Sequence, residues 1–320
     1  MPATSIVNHR ATRFTGETQA CNVSELSSQS LYEIQWLYRW LEAVGRHNSE
    51  DLTQLAVRNA FETLITRGNI DRVLKSTRNI RSAEQGTNKV ARIFPDMLGA
   101  VLHQLVGIVD LWLSGKVIGG GLPAATILAR DQAKFMRHSL IGLDEENRLL
   151  DSIRRLHGVE NLRNRLLNLV FVNKETAVQI DFAAEWNGDF AITCPEFSIV
   201  LRQLYNLMEN AAHQTADCKI LVRIFPTGPV EPQSLRLVVA NALTSDDRTA
   251  LLPRALDKLW RGSTTTGIGL GLNASAALVS EAFGLGHPDQ AIDLGYVGSR
   301  ITENGYICWI HWPIVNQDVA

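Results

Sequence analysis

The run VLRQLYNLMENAAHQT, Val200 to Thr215, decides how the second half of the chain is read. Pro195 just before it sets the backbone for a first helical turn, and the spacing predicts a helix from Glu196 to His213. Asn206 and Asn210 are four residues apart, so both amides project from one helix face while Leu207 and Met208 turn toward a core. A side-chain amide oxygen is a hard, neutral ligand of the kind Mg²⁺ accepts beside phosphates. Two further segments belong with it. LVVANAL, Leu237 to Leu243, reads as a buried strand ending in Asn241. WRGSTTTGIGLGL, Trp260 to Leu272, places Gly267, Gly269 and Gly271 in alternation after the small polar run Ser263 to Thr266, and a helix from Asn273 to Phe283 follows. Glycines let backbone N–H groups approach phosphates, and a helix N-terminus adds positive dipole there. Taken singly, each segment has an ordinary reading: surface asparagines, a core strand with a polar stop, a glycine-rich loop.

Order and spacing change that reading. The asparagine helix, a strand ending in Asn, the RGSTTTGIGLGL run and the closing strand GYICWIHWP together resemble the GHKL ATPases. Within that family the match is best to the ATP-binding domain of sensor histidine kinases, over roughly residues 160 to 314. The resemblance implies that Asn210 ligates Mg²⁺, that Asn206 lies near the γ-phosphate, and that His213 covers the nucleotide. It also implies that Asn241, Thr266, Gly267, Gly269 and Gly271 line the ATP site. One position departs from the family. The first glycine box normally supplies an Asp that accepts the adenine amino group, and here Ala240 stands where that Asp is expected, with Asn241 next and Asp246 and Asp247 beyond. Loss of such a charge-assisted bond costs about 1.5–3 kcal/mol.

The remaining strands follow from alternation and turn residues: Ala177 to Ala183, Phe190 to Cys194, Lys219 to Phe225, Ser234 to Asn241, Tyr296 to Arg300 and Tyr306 to Ile314. Leu162 to Val172 reads as helix. Mixed helices and antiparallel strands predict an α+β sandwich with one sheet face covered by helices, spanning residues 159 to 316.

Ahead of this domain the texture is helical. Residues 1 to 23 are polar and read as a tail. Leu31, Ile34, Leu37, Tyr38, Leu41 and Val44 recur at helical spacing, capped by Ser24, Ser27 or Ser28 and closed by Gly45. Further amphipathic stretches run from Glu50 to Ile65 and from Ile70 to Ile80, so residues 24 to 90 form a helical sensor or partner-binding region. After Pro95, the residues Leu98, Leu102, Leu105, Val109 and Trp112 alternate steps of four and three, the seam of a paired helix. The turn Gly119 to Pro123 then leads into a long helical stretch, Ala124 to Leu156. Residues 91 to 158 are therefore expected to form a helical hairpin, and two copies would make a four-helix bundle in a homodimer.

The kinase resemblance makes His103, beside the seam, the expected phosphoacceptor, with His138 on the second helix as its rival. Gln104 follows His103 where the family usually has an acidic residue. The implied function is autophosphorylation of a histidine from ATP-Mg²⁺ and transfer to a response regulator. The alternatives are a catalytically degenerate adaptor that binds a response regulator without turnover, and an ATPase with no phosphohistidine.

Bulk properties agree. The 320 residues are 45% hydrophobic and 20% charged with a formal charge of −2, which suits a globular protein and argues against a nucleic-acid binder. Cys21, Cys194, Cys218 and Cys308 form no CxxC pair and read as reduced thiols. The N-terminus lacks the apolar core of a secretory signal, and Met97 to Leu113 is broken by His103, Gln104 and Asp110. No membrane span and a cytoplasmic location are expected.

Overall fold

The computed structural model describes residues 20–47, 54–83, 105–110, 112–115, 121–167, 169, 171–173, 176–228, 233–251, 256–261 and 270–314. His103, its neighbour Gln104, and Thr266, Gly267 and Gly269 lie outside the described residues. The chain divides into two compact units, one of residues 20–151 with 168–170, the other formed by 152–167 and everything from 171 on.

The first unit is helical. A short strand β1 (Cys21–Asn22) precedes α1 (Ser28–Gly45), α2 (Leu55–Leu64), α3 (Arg67–Ala83) and α4 (Gly121–Ser139), followed by β2 (Leu140–Ile141) and α5 (Glu145–Asp151). Ser27 is the cap of α1, its hydroxyl accepting from the Ser30 amide at 3.2 Å. The stripe Ile34, Leu37, Tyr38, Leu41 and Val44 is buried as the spacing predicts. α1 packs on both α3 and α4. Against α4 the approach is close enough to require glycine: a Cβ on Gly45 would lie 2.9 Å from the Arg130 backbone. Against α3 the buried Glu33 is satisfied by Arg72 at 2.7 Å, Ser76 at 2.8 Å and Asn79 at 2.7 Å. Such pairing is what lets a carboxylate sit inside.

The continuous helix expected from Ala124 to Leu156 is broken. β2 pairs in parallel with β1, Gly142 takes φ 87°, and Asp144 restarts the chain as a helix by accepting from the Asn147 amide at 3.1 Å. Edge pairing and a glycine turn outweigh a helical hydrophobic pattern that runs straight through them.

The second unit is an α/β sandwich. It comprises β3 (His157–Gly158), α6 (Val159–Leu166), β4 (Phe171–Asn173), β5 (Thr176–Ala184), β6 (Asp189–Ala191), α7 (Cys194–Gln214), β7 (Lys219–Thr227), β8 (Ser234–Ala242), α8 (Ser245–Leu251), α9 (Leu256–Trp260), α10 (Leu270–Ala282), α11 (Pro288–Asp293), β9 (Val297–Ile301) and β10 (Gly305–Pro313). The predicted helix Leu162 to Val172 ends at Leu166, and Phe171–Asn173 is instead an edge strand paired with β5. The main sheet has six strands in the order β4-β5-β7-β8-β10-β9, antiparallel except for the parallel pair β5 and β7.

Alternation sorts its faces. Ile220, Val222 and Ile224, Leu235, Leu237 and Val239, and Cys308, Ile310 and Trp312 are all buried on the side where α7 and α10 pack. α7 is fixed at its start by Thr193, which accepts from the Glu196 amide at 3.3 Å. Buried Glu196 in turn accepts from the Ile192 amide at 2.6 Å and the Trp312 indole at 3.0 Å. On the other sheet face the Arg236 guanidinium donates to His311 Nε2 at 2.6 Å and lies over the Trp309 ring. Among the described residues no helix is long and apolar enough to cross a membrane.

Candidate functional site

α7 carries two stripes. Val200, Leu204, Leu207 and Ala211 form a buried one. Gln203, Asn206, Asn210 and His213 form a second, polar stripe rotated off it by roughly 100°. Along this stripe exposure rises toward the C-terminus: Gln203 is 1% exposed, Asn206 is half-buried, and Asn210 and His213 are exposed. The structure thus brings Asn206, Asn210 and His213 onto one face, as their spacing requires.

The end of α7 is tied to the end of β8. The Ala216 amide donates to the Ala242 carbonyl at 3.0 Å. Thr215 locks the same turn, its hydroxyl donating to the Lys219 carbonyl at 2.9 Å and its carbonyl accepting from Asn173 Nδ2 at 2.9 Å. Asn241, which precedes Ala242, therefore stands close to the open end of the polar stripe.

Strand register decides which residue of β8 serves that space. Leu235, Leu237, Val239 and Asn241 are buried on the helix side, whereas Ala240 is half-buried between Leu221 and Ile307 on the opposite face. The sequence reading expects a base-binding residue at Ala240, but a side chain there projects away from the helix layer. Asn241 does. Its Nδ2 donates to the Ala242 carbonyl at 3.1 Å, and its buried Oδ1 has no hydrogen-bond partner. The Ala242 carbonyl also fixes the amide orientation, because a flipped amide would set two oxygens against each other. Tyr306 is its cross-strand neighbour on the same face. Burial pushes the Tyr306 hydroxyl well above the usual phenol range, so it stays neutral.

The described residues on either side of the glycine run are held in place. Trp260, fully buried, donates its indole N–H to Ser299 Oγ at 3.2 Å, and Asn273 Nδ2 donates to the Trp260 carbonyl at 3.0 Å. Arg261 pairs with Asp289 at 2.8 Å and Asp293 at 2.6 Å. Gly271 lies in the first turn of α10, which packs on α7, α9 and β10. Residues 260–261 and the start of α10, on either side of 262–269, are thereby anchored.

Of the two candidate acceptors, His138 is described. It sits on α4 with Nε2 3.4 Å from Asp151, which is shared with Arg137. Burial pulls the His138 pKa down despite that carboxylate. Among the described residues no group of three or more His, Cys, Asp or Glu side chains is assembled to hold a metal. Sequence spacing overlooked Gln203, although its place three and seven residues before the two asparagines was the signal available.

No family model matches the chain, and no curated protein matches it. Among solved structures it is similar to histidine kinase catalytic domains. The catalytic domain of ThkA aligns at 18% identity with a TM-score of 0.29, covering 43% of this chain and 79% of that one. The histidine kinase domain of the blue-light-activated kinase EL346 from Erythrobacter litoralis aligns at 12% identity and a TM-score of 0.32, over 77% of this chain and 96% of that one. Full-length ShkA in complex with AMPPNP aligns at 15% identity and a TM-score of 0.33, over 77% of this chain and 46% of the ShkA chain.

Proposed function

We propose that this chain is a two-component histidine kinase that binds ATP-Mg²⁺ over the polar stripe of α7, phosphorylates a histidine, and passes the phosphoryl group to a response regulator. The observation that carries the reading is Asn241. A buried acceptor without a partner costs about 1–3 kcal/mol, so an oxygen left this way in the helix layer fits a ligand that donates to it. The exocyclic amine of adenine is such a donor. With Nδ2 held by Ala242, only the acceptor faces the base, which favours adenine over a purine with a carbonyl at that position.

The rest of the site fits the same ligand. Asn210 would hold Mg²⁺ through its amide oxygen, and the ion when bound neutralises the charge of the β- and γ-phosphates. Asn206 would orient the γ-phosphoryl group, and His213 would cover the nucleotide from the exposed end. Thr266, Gly267, Gly269 and Gly271 would offer backbone N–H groups to the phosphates, anchored by Trp260. His103 is the proposed nucleophile. A neutral imidazole nitrogen attacks the γ-phosphorus in line, the bond to the ADP oxygen breaks, and ADP leaves. A regulator aspartate then takes the phosphoryl group from the imidazole. The seam Leu98 to Trp112 supports a homodimer through the hairpin.

The test is incubation of the full chain with γ-labelled ATP and Mg²⁺. Acid-labile, base-stable label that disappears in His103→Ala supports the kinase. Free phosphate release that survives His103→Ala identifies an ATPase instead. Absence of both label and nucleotide-induced thermal shift leaves an adaptor.

A further inference from the structure

Gln203 opens the polar stripe of α7, and its state needs a cause. It is 1% exposed, and both Oε1 and Nε2 are buried without a hydrogen-bond partner. Native proteins rarely leave an amide this way, because each unmade bond costs about 1–3 kcal/mol. An apolar residue would fill the same space without that cost. The side chain also stands at a meaningful place. It leads the stripe that continues through Asn206 and Asn210, about 4.5 Å and about 10.5 Å further along the helix axis. The bond between Ala216 and Ala242 puts Asn241, and so the base, at the C-terminal end of that stripe. A nucleotide lying on the stripe then runs its phosphates toward the N-terminus of α7. It passes Asn210 first and Asn206 next. Gln203 is the third amide in the series, at its buried end, the end that the terminal phosphoryl group of a nucleotide in this orientation would approach.

We propose that Gln203 is a γ-phosphate-sensing residue: its Nε2–H donates to an oxygen of the terminal phosphoryl group, so the site distinguishes ATP from ADP. The proposal rests on the nucleotide-binding reading above. It predicts a signature that a packing role does not produce, because a packing defect weakens both nucleotides alike.

The experiment is calorimetric titration of the full chain with Mg-ADP and with the Mg complex of β,γ-imido-ATP, in the natural sequence and in Gln203→Leu and Gln203→Met. The natural protein should bind the triphosphate analogue more tightly than ADP. Both variants should lose about tenfold or more in affinity for the analogue while ADP binding stays within about twofold. Their ligand-free melting temperatures should hold or rise, since an unpaired amide has been removed. Two variants of different shape guard against one that misfolds. Equal loss for both nucleotides, or no loss for either, overturns the assignment of Gln203 and leaves the nucleotide site standing. A natural protein that binds neither nucleotide overturns the site itself and this inference with it.

Discussion

Substitutions at Ala240 and Asn241 separate two accounts of base recognition. If motif order governs, restoring a carboxylate with Ala240→Asp should strengthen ATP binding, because a charge-assisted bond is worth about 1.5–3 kcal/mol. Strand register says otherwise. Ala240 faces away from α7 and is flanked by Leu221 and Ile307, so an Asp there puts a half-buried carboxylate among aliphatic groups and leaves the base untouched. Asn241→Leu, by contrast, removes a buried acceptor on the helix side of β8. ATP then leaves its amine unpaired, at about 1–3 kcal/mol, or roughly five- to 150-fold in affinity. Inosine triphosphate carries a carbonyl at that position and already fails to satisfy Asn241. The natural protein should therefore prefer ATP over ITP by about tenfold or more, and Asn241→Leu should bring the two within about twofold. Competition binding against a fluorescent nucleotide reads both ratios. A gain of fivefold or more for ATP in Ala240→Asp, or an undiminished preference in Asn241→Leu, refutes the register argument.

Other outcomes follow from the packing. Glu196→Ala strands the Trp312 indole N–H and the Ile192 amide, and urea unfolding should show a loss of about 2–4 kcal/mol. Trp260→Ala should cost about 3–5 kcal/mol and free one end of the glycine run, so protease cleavage between 262 and 269 should speed up in parallel with the fall in melting temperature. Burial, and then the Arg236 charge, hold the His311 pKa down at about 4, against an ordinary value of about 6.5. Folding therefore favours the neutral ring. The stability it contributes is complete above pH 6.5 and is lost as pH falls toward 4, on the order of 3 kcal/mol. Unfolding titrations across that window should show a slope that flattens in His311→Gln.

The helices and strands that carry the site were legible because each announces itself over many residues. The asparagines of α7, five of the six strands of the sheet and the buried face of α1 follow from spacing alone, while β4 reads as helix. What was not legible depended on pairing between distant segments. A strand has two faces, and a shift of one residue exchanges them. Counting along the motif sets Ala240 where the base-binding Asp is expected, whereas the hydrogen-bond register with Ile307 and Leu221 turns Ala240 away from α7 and Asn241 toward it. The break after Ser139 was hidden for the same reason, since β2 exists only because Cys21 and Asn22 lie beside it. Gln203 was passed over because its spacing to the two asparagines is equally that of an ordinary core-flanking residue. Only its burial and its unmet hydrogen bonds distinguish it.

Those two orphaned amides have a common energetic consequence. Asn241 leaves one acceptor unmade and Gln203 leaves a donor and an acceptor unmade, in the same layer, and each costs stability in the ligand-free chain. A nucleotide that accepts from Gln203 Nε2 and donates to Asn241 Oδ1 would recover that part of the cost on binding, so the ligand-linked stabilisation would contain more than the contacts the nucleotide makes elsewhere. The protein has thus placed destabilising groups where an apolar side chain would be safer, which is the pattern expected when a site is kept for function rather than for folding. It follows that Gln203→Leu and Asn241→Leu, made together, should raise the ligand-free melting temperature and shrink the shift caused by nucleotide. A double variant that melts lower without ligand yet keeps the full nucleotide shift is incompatible with either amide having been held in reserve for the ligand.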